Sequence, residues 1–209
     1  MTIRKGQDWG GPGALSSDAA VLDTDRAAAL LLQAALDAGQ PLPELGLIGG
    51  DLHRSLGSPR HCAQDLYDGV GMRLPIDVGT VRLDDGAPQV FVAHLVATAR
   101  RGAALWSSRT LVVMNATFRG ELDLGPRAHP NDGRLDVTDG VLPLQERRRG
   151  RSRARTGSHL PHPALRERRV RELTVTADDR WYVWLDDELV GDARTLEVAC
   201  VPDATAVVV

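Results

Sequence analysis

Apolar residues first gather between Ala27 and Leu36, in an Ala/Leu run that follows Asp23-Thr24 and stops before Gly39. A capping residue in front and a glycine behind predict a helix. Pro41 and Pro43 then break the chain. Leu45-Gly46-Leu47-Ile48 predicts a short buried strand that ends in a tight turn at Gly49-Gly50. A weaker helix is expected over 59–67. Beyond Gly71 the periodicity changes to two. Residues 76–83 alternate, Asp84-Asp85-Gly86 signals a hairpin, and strands are expected over 90–98, 110–117, 135–141, 170–176, 181–185, 196–201 and 206–209. Turn residues separate these segments at fairly even spacing, the pattern of antiparallel sheets. The fold class read from this is α+β. A small N-terminal α/β unit (1–72) precedes a predominantly antiparallel β-sandwich domain (73–209), with a Gly-, Pro- and Ser-rich lead-in over 1–22.

Composition narrows the function. The 209 residues are 43% hydrophobic and 25% charged with a net charge of −3, an ordinary globular balance. Aromatics are only 4%, which argues against a base-stacking surface, so no nucleic-acid partner is expected. Cys62 and Cys200 are too few for a disulfide framework and form no Cys-x-x-Cys pair. No apolar run is long enough to span a bilayer and no secretory signal opens the chain, so the expected location is cytoplasmic. Lys5 is the single lysine, so no P-loop lysine is available. Ten arginines fall between Arg147 and Arg171. They read either as a solvated loop and a charged strand edge or as a surface for lipid headgroups or phosphates. In the second reading Arg147–Arg155 makes a peripheral membrane contact.

Three stretches carry a familiar order of motifs. Met114-Asn115 precedes Gly125-Pro126-Arg127-Ala128-His129-Pro130-Asn131-Asp132-Gly133-Arg134-Leu135-Asp136-Val137. Gly157-Ser158-His159-Leu160-Pro161-His162-Pro163 follows, and then Trp184-Leu185-Asp186-Asp187-Glu188 with Val201-Pro202-Asp203-Ala204. In this spacing, over about 74–209, they resemble the C-terminal half of the diacylglycerol kinase catalytic-domain family, which includes bacterial lipid kinases and sphingosine kinases and is distantly related to NAD kinases. The segment 47–59 is similar to that family in one of two ways. Gly49-Gly50-Asp51 matches the start of its Gly-Gly-Asp-Gly-Thr nucleotide loop. Alternatively Asp51, Arg54, Leu56, Gly57 and Pro59 match its later Asn-Asp-x-x-Arg-x-Leu-Gly-x-Pro stretch, with Pro75-Ile76-Asp77-Val78-Gly79 behind. The second fit has more identities. It leaves the first nucleotide loop without a counterpart, so the chain resembles a reduced member.

The resemblance implies ATP- and Mg²⁺-dependent phosphoryl transfer to a lipid hydroxyl. It assigns Asp186 as general base with Glu188 beside it, Gly49, Gly50, Asp51 and Arg54 to the nucleotide, and Asp132 with the carbonyls of His129 and Arg134 to a metal. Read from residue types alone, Asp186-Asp187-Glu188 is an acidic turn, Asn131-Asp132-Gly133 a plain turn and Asp51 a helix cap. His159 reads as ordering a loop; His53 and His94 read as incidental. The competing reading is a non-catalytic β-sandwich that binds a lipid, a nucleotide or a protein. Edge strands leave room for a homodimer.

Overall fold

The computed structural model describes residues 9–57 and 59–209; Lys5, the first residues of the lead-in and Ser58 lie outside them. In chain order the elements are β1 (Gly11–Pro12), β2 (Ala20–Leu22), α1 (Asp25–Asp37), β3 (Leu45–Leu47), α2 (Gly50–Ser55), α3 (Ala63–Tyr67), β4 (Met72–Leu83), β5 (Pro88–Phe91), β6 (His94–Thr98), β7 (Thr110–Met114), β8 (Phe118–Arg119), β9 (Leu122–Asp123), β10 (Leu135–Gly140), α4 (Arg147–Ala154), β11 (Leu165–Val170), β12 (Glu172–Leu185) and β13 (Glu188–Val208). This is the expected α+β arrangement, dominated by antiparallel strands.

One eleven-stranded sheet runs β1-β4-β13-β12-β6-β7-β10-β11. β13 is its spine. Its first half pairs with β12, its second half (Leu196–Val208) pairs with β4, and Val207-Val208 pair in parallel with Leu45-Gly46 of β3. β2 lies parallel to β3 on the far side. The N-terminal β2-α1-β3-α2 unit is therefore hydrogen-bonded into the same sheet as the sandwich, and residue 72 is the first residue of β4. Where the periodicity suggested two strands over 170–185 and two over 196–209, the chain runs β12 and β13 as single long strands. Register shifts mark the interruptions, at Thr176/Trp181 and Val201/Thr205.

Period-2 alternation sends Leu95, Ala97, Leu111, Val113, Val183 and Leu185 into the sandwich core. Alternate residues Val96, Val112 and Met114 face the other way and pack with Trp106, Leu142 and Ala154. α1 lays Ala28 and Leu32 on Leu45, Ile76, Val78 and Val207. The arginine run differs from expectation in its first half: residues 147–154 are helical, tied down by buried Gly150 and Ala154. Its second half is β11, an edge strand as expected, whose one partner strand among the described residues is β10.

Candidate functional site

The two-residue turn between β12 and β13 organises the site. Asp186 and Asp187 both have positive φ, 45° and 68°. That geometry favours glycine or asparagine in a tight hairpin, and aspartate is among the residues that tolerate it. The turn aims Asp186 inward, where it is 5% exposed. Its carboxylate accepts the backbone N–H of Val92 at 2.9 Å, of Ala93 at 2.9 Å and of His94 at 3.0 Å, while its own N–H donates to the His94 carbonyl at 3.0 Å. These bonds explain why the expected strand over 90–98 is two strands: the N–H groups at its middle go to Asp186. Burial raises the Asp186 pKa above the ordinary carboxylate range despite His94 and the three N–H donors.

A second carboxylate sits opposite. Thr24 caps α1 by accepting the Ala27 N–H at 3.3 Å, and Asp25 begins the helix. The Asp25 side chain turns away from its own helix and accepts the N–H groups of Asp51 (2.5 Å) and Leu52 (3.0 Å), the leading donors of α2. Gly50, at φ +92°, is required here, since a Cβ would stand 2.6 Å from the Asp25 carboxylate. Burial first, and the charge of Asp186 second, push the Asp25 pKa up to about 7.

Between these groups lie Asp51 and His94. The Asp51 carboxylate accepts the Gly120 N–H, at 2.9 and 3.0 Å to its two oxygens, and meets His94 Nε2 at 3.2 Å. Arg54 donates to the Gly120 carbonyl and stacks over Phe118 at 4.0 Å. Burial would raise the Asp51 pKa, but His94, the Gly120 N–H and Arg54 outweigh it and hold it below the ordinary range. The His94 ring is 1% exposed. Burial disfavours its charge, yet Asp51, Asp186 and Asp187 outweigh burial and raise its pKa. Asp187 is exposed, bonded to Arg119 at 2.8 Å and 3.9 Å from His94 Nε2; Glu188 pairs with Arg26 at 2.6 Å.

Two cavities meet here. One of about 500 Å³ is walled by Thr24, Asp25, Arg26, Gly50, Asp186 and Glu188. The other, about 480 Å³, lies beside α4 between apolar Val96, Leu105 and Leu122, with Trp184, Arg151 and Arg155. Gly120 and Asp187 line both. Gly50, Asp51, Asp186 and Glu188 are thus brought to one place. Arg54 braces the Gly120 turn. Gly49 caps α2 against Asp23, whose carbonyl would be 2.4 Å from a Cβ there.

Asp132, His129 and Arg134 line neither cavity. Asp132 is paired with the Arg169 guanidinium, and the His129 Nδ1 accepts the Asn131 N–H at 3.2 Å. Arg169 takes one Asp132 oxygen; the other, Oδ1, is buried without a hydrogen-bond partner and is the one carboxylate oxygen these three residues still offer a cation. The neighbouring carboxylate of Asp77 is a structural tie, accepting the N–H groups of Gly133 at 2.6 Å and Asp203 at 2.9 Å. His159 packs against Trp106, ring centroids 5.2 Å apart, and burial lowers its pKa to about 4.

The motif order has a counterpart among known proteins. Residues 96–209, more than half of the chain, match the family described as the YegS C-terminal NAD kinase beta sandwich-like domain. The chain belongs to this family. In this YegS-type domain the match begins within β6 and runs through β13, so it covers the Asp186 turn and α4 but not Asp25, Asp51 or His94. Three solved structures of diacylglycerol kinases from Bacillus anthracis str. Sterne, two of them provisionally so assigned, are similar in fold. Their TM-scores are 0.60, 0.54 and 0.57, each at 14% identity over 79% of this chain. The chain spans about two thirds of their length: 68%, 66% and 69%. No curated protein matches the sequence. No helix among the described residues is long and apolar enough to cross a membrane.

Sequence reasoning passed over Asp25, Asp187 as a site residue, and His94. Asp25 directly follows the Asp23-Thr24 cap, and no motif in the sequence singles it out. His94 belongs to no motif. The one available signal was a histidine inside an otherwise apolar strand.

Proposed function

We propose that this lipid-kinase-like protein binds an anionic amphiphile, a lipid phosphate or similar molecule, in the cleft beside α4, and does so without transferring phosphate. The observation that carries the reading is the Asp25 carboxylate on the leading N–H groups of α2. Phosphoryl transfer needs a cradle of backbone donors and cations for the phosphates. In this chain a side chain of the protein itself occupies that cradle. The other strand–turn–helix crossing, Leu22 to Asp25, carries acids instead of glycine. Asp25, Asp51, Asp186, Asp187 and Glu188 all line the same cavity and would repel a triphosphate. The ATP that the family suggests finds no fitting set of residues at the positions expected for it.

The cleft beside α4 has the opposite character. Arg151 and Arg155 are one helical turn apart, exposed and adjacent to the apolar wall of Val96, Leu105 and Leu122. A guanidinium pair suits a phosphate or carboxylate head, and the wall suits a short apolar body. Phosphoryl transfer to a lipid hydroxyl draws on Asp186 at the cavity wall. Its two oxygens are already held by three N–H donors, which fits a turn-stabilising acid better than a free base.

The test is a titration with a short-chain lipid phosphate, monitored through tryptophan fluorescence, beside an assay for ATP consumption. Saturable binding without ATP turnover supports the reading. Turnover lost in Asp186→Asn would overturn it.

A further inference from the structure

His94 Nε2 faces two carboxylate oxygens from different elements: Asp51 Oδ2 at 3.2 Å and Asp187 Oδ2 at 3.9 Å. The three atoms all lie within 4.8 Å of one another. Two ligands on one ion with bonds of about 2.1 Å stand roughly 3.0 Å apart in an octahedral shell and 3.4 Å apart in a tetrahedral one. The observed spacings to Nε2 are within an ångström of that, before any ion draws the ligands together. Each ligand has its own fixed contact. The backbone of His94 is locked to Asp186 in both directions, Asp51 is fixed by the Gly120 N–H, and Asp187 is steered by Arg119. A single proton on Nε2 can satisfy only one of the two carboxylates. Nδ1 has no partner and can carry the proton once Nε2 gives up its own.

The geometry points to a divalent-metal site formed by Asp51, His94 and Asp187. It is independent of what fills the cleft beside α4. One imidazole with two carboxylates suits a first-row divalent ion, with Zn²⁺ ahead of Mn²⁺ and both ahead of Mg²⁺ or Ca²⁺, which prefer all-oxygen shells. Three protein ligands leave further positions open, as in sites where the ion also meets a second molecule. Asp187 lines both cavities, so the ion would sit at their seam. Binding would consume the lone pair on Nε2 and displace the proton it shares with Asp51 to Nδ1 or to solvent.

The experiment uses the full chain and no amphiphile. Mn²⁺ and Mg²⁺ are titrated calorimetrically, and Mn²⁺ broadening of backbone amide NMR signals locates the ion. Mn²⁺ is chosen because it avoids the exposed thiol of Cys62, which would capture Zn²⁺. Asp187→Asn is the variant, since Asp187 is exposed and asparagine accepts its positive φ. One micromolar-range Mn²⁺ site, at least tenfold weaker for Mg²⁺ and at least tenfold weakened in Asp187→Asn, is expected, with broadening centred on His94, Gly120 and Asp187. No Mn²⁺ binding at millimolar concentration, broadening centred elsewhere, or affinity unchanged in Asp187→Asn would overturn the assignment. A separate failure of lipid-phosphate binding would leave these readouts untouched.

Discussion

Replacing Asp25 by asparagine isolates the charge that sits on the first turn of α2. The acid titrates at 3.8 when unperturbed and at about 7 in the fold. Below the unfolded value both states are protonated and the group contributes nothing to the pH dependence. Between the two values the folded state binds more protons than the unfolded one, so stability falls as pH rises. Above the folded value the loss is complete. At about 1.4 kcal/mol for each pKa unit, the ionised carboxylate costs the native state about 4 kcal/mol at pH 8 relative to pH 3. The asparagine side chain is neutral throughout and keeps one acceptor for two N–H donors, at a pH-independent cost of about 1 kcal/mol. The substitution also removes a charge facing Asp186. The curves should therefore cross: wild type is more stable near pH 4, and Asp25→Asn is more stable by about 3 kcal/mol at pH 8. Denaturant unfolding at half-unit pH steps from 4 to 8.5 reads the difference. Parallel curves would refute the argument, because they would mean that the Asp25 carboxyl titrates alike in both states.

Other outcomes follow from the same geometry. Asp186→Ala leaves the buried N–H groups of Val92, Ala93 and His94 without their acceptor, so it should destabilise the protein by about 3 kcal/mol or more; an unchanged melting temperature would show that the turn does not hold the β5–β6 junction. Gly79→Ala would put a Cβ 2.1 Å from the Phe91 ring, which is fully buried, and should cost at least about 3 kcal/mol by overpacking, read as a melting temperature lower by roughly 10 °C. The double variant Arg151→Ala/Arg155→Ala should weaken lipid-phosphate binding about tenfold or more and flatten its salt dependence, with no change in stability, since both side chains are exposed.

The parts of the fold visible in the sequence were those set by neighbours in sequence. Period-2 alternation marked β4, β7, β10 and the halves of β12 and β13, and Asp23-Thr24 with Gly39 bracketed α1. What escaped was set by partners far along the chain. The break between β5 and β6 depends on Asp186, more than 90 positions away. The role of Asp25 depends on how α2 is set 26 residues later. His94 looked incidental because its partners are Asp51, 43 positions before it, and the turn at 186–187. The Arg169 partner of Asp132 escaped because it lies 37 residues on, in an edge strand whose charge reads as a solvated face. α4 was hidden because a run of arginines around a glycine shows no apolar stripe, and Gly150 and Ala154 are its only buried residues. The Asp186 turn was found from its resemblance to a known motif, since the residue types by themselves gave an acidic hairpin.

The measurement that bears most directly on the central claim is a calorimetric titration of the purified chain with a short-chain lipid phosphate below its micelle concentration, beside Mg²⁺-ATP under identical conditions. The account predicts one saturable site for the lipid phosphate, weakened in Arg151→Ala/Arg155→Ala, and no heat from millimolar Mg²⁺-ATP beyond that of Mg²⁺ alone. Micromolar Mg²⁺-ATP binding, or no lipid-phosphate site at all, would contradict it.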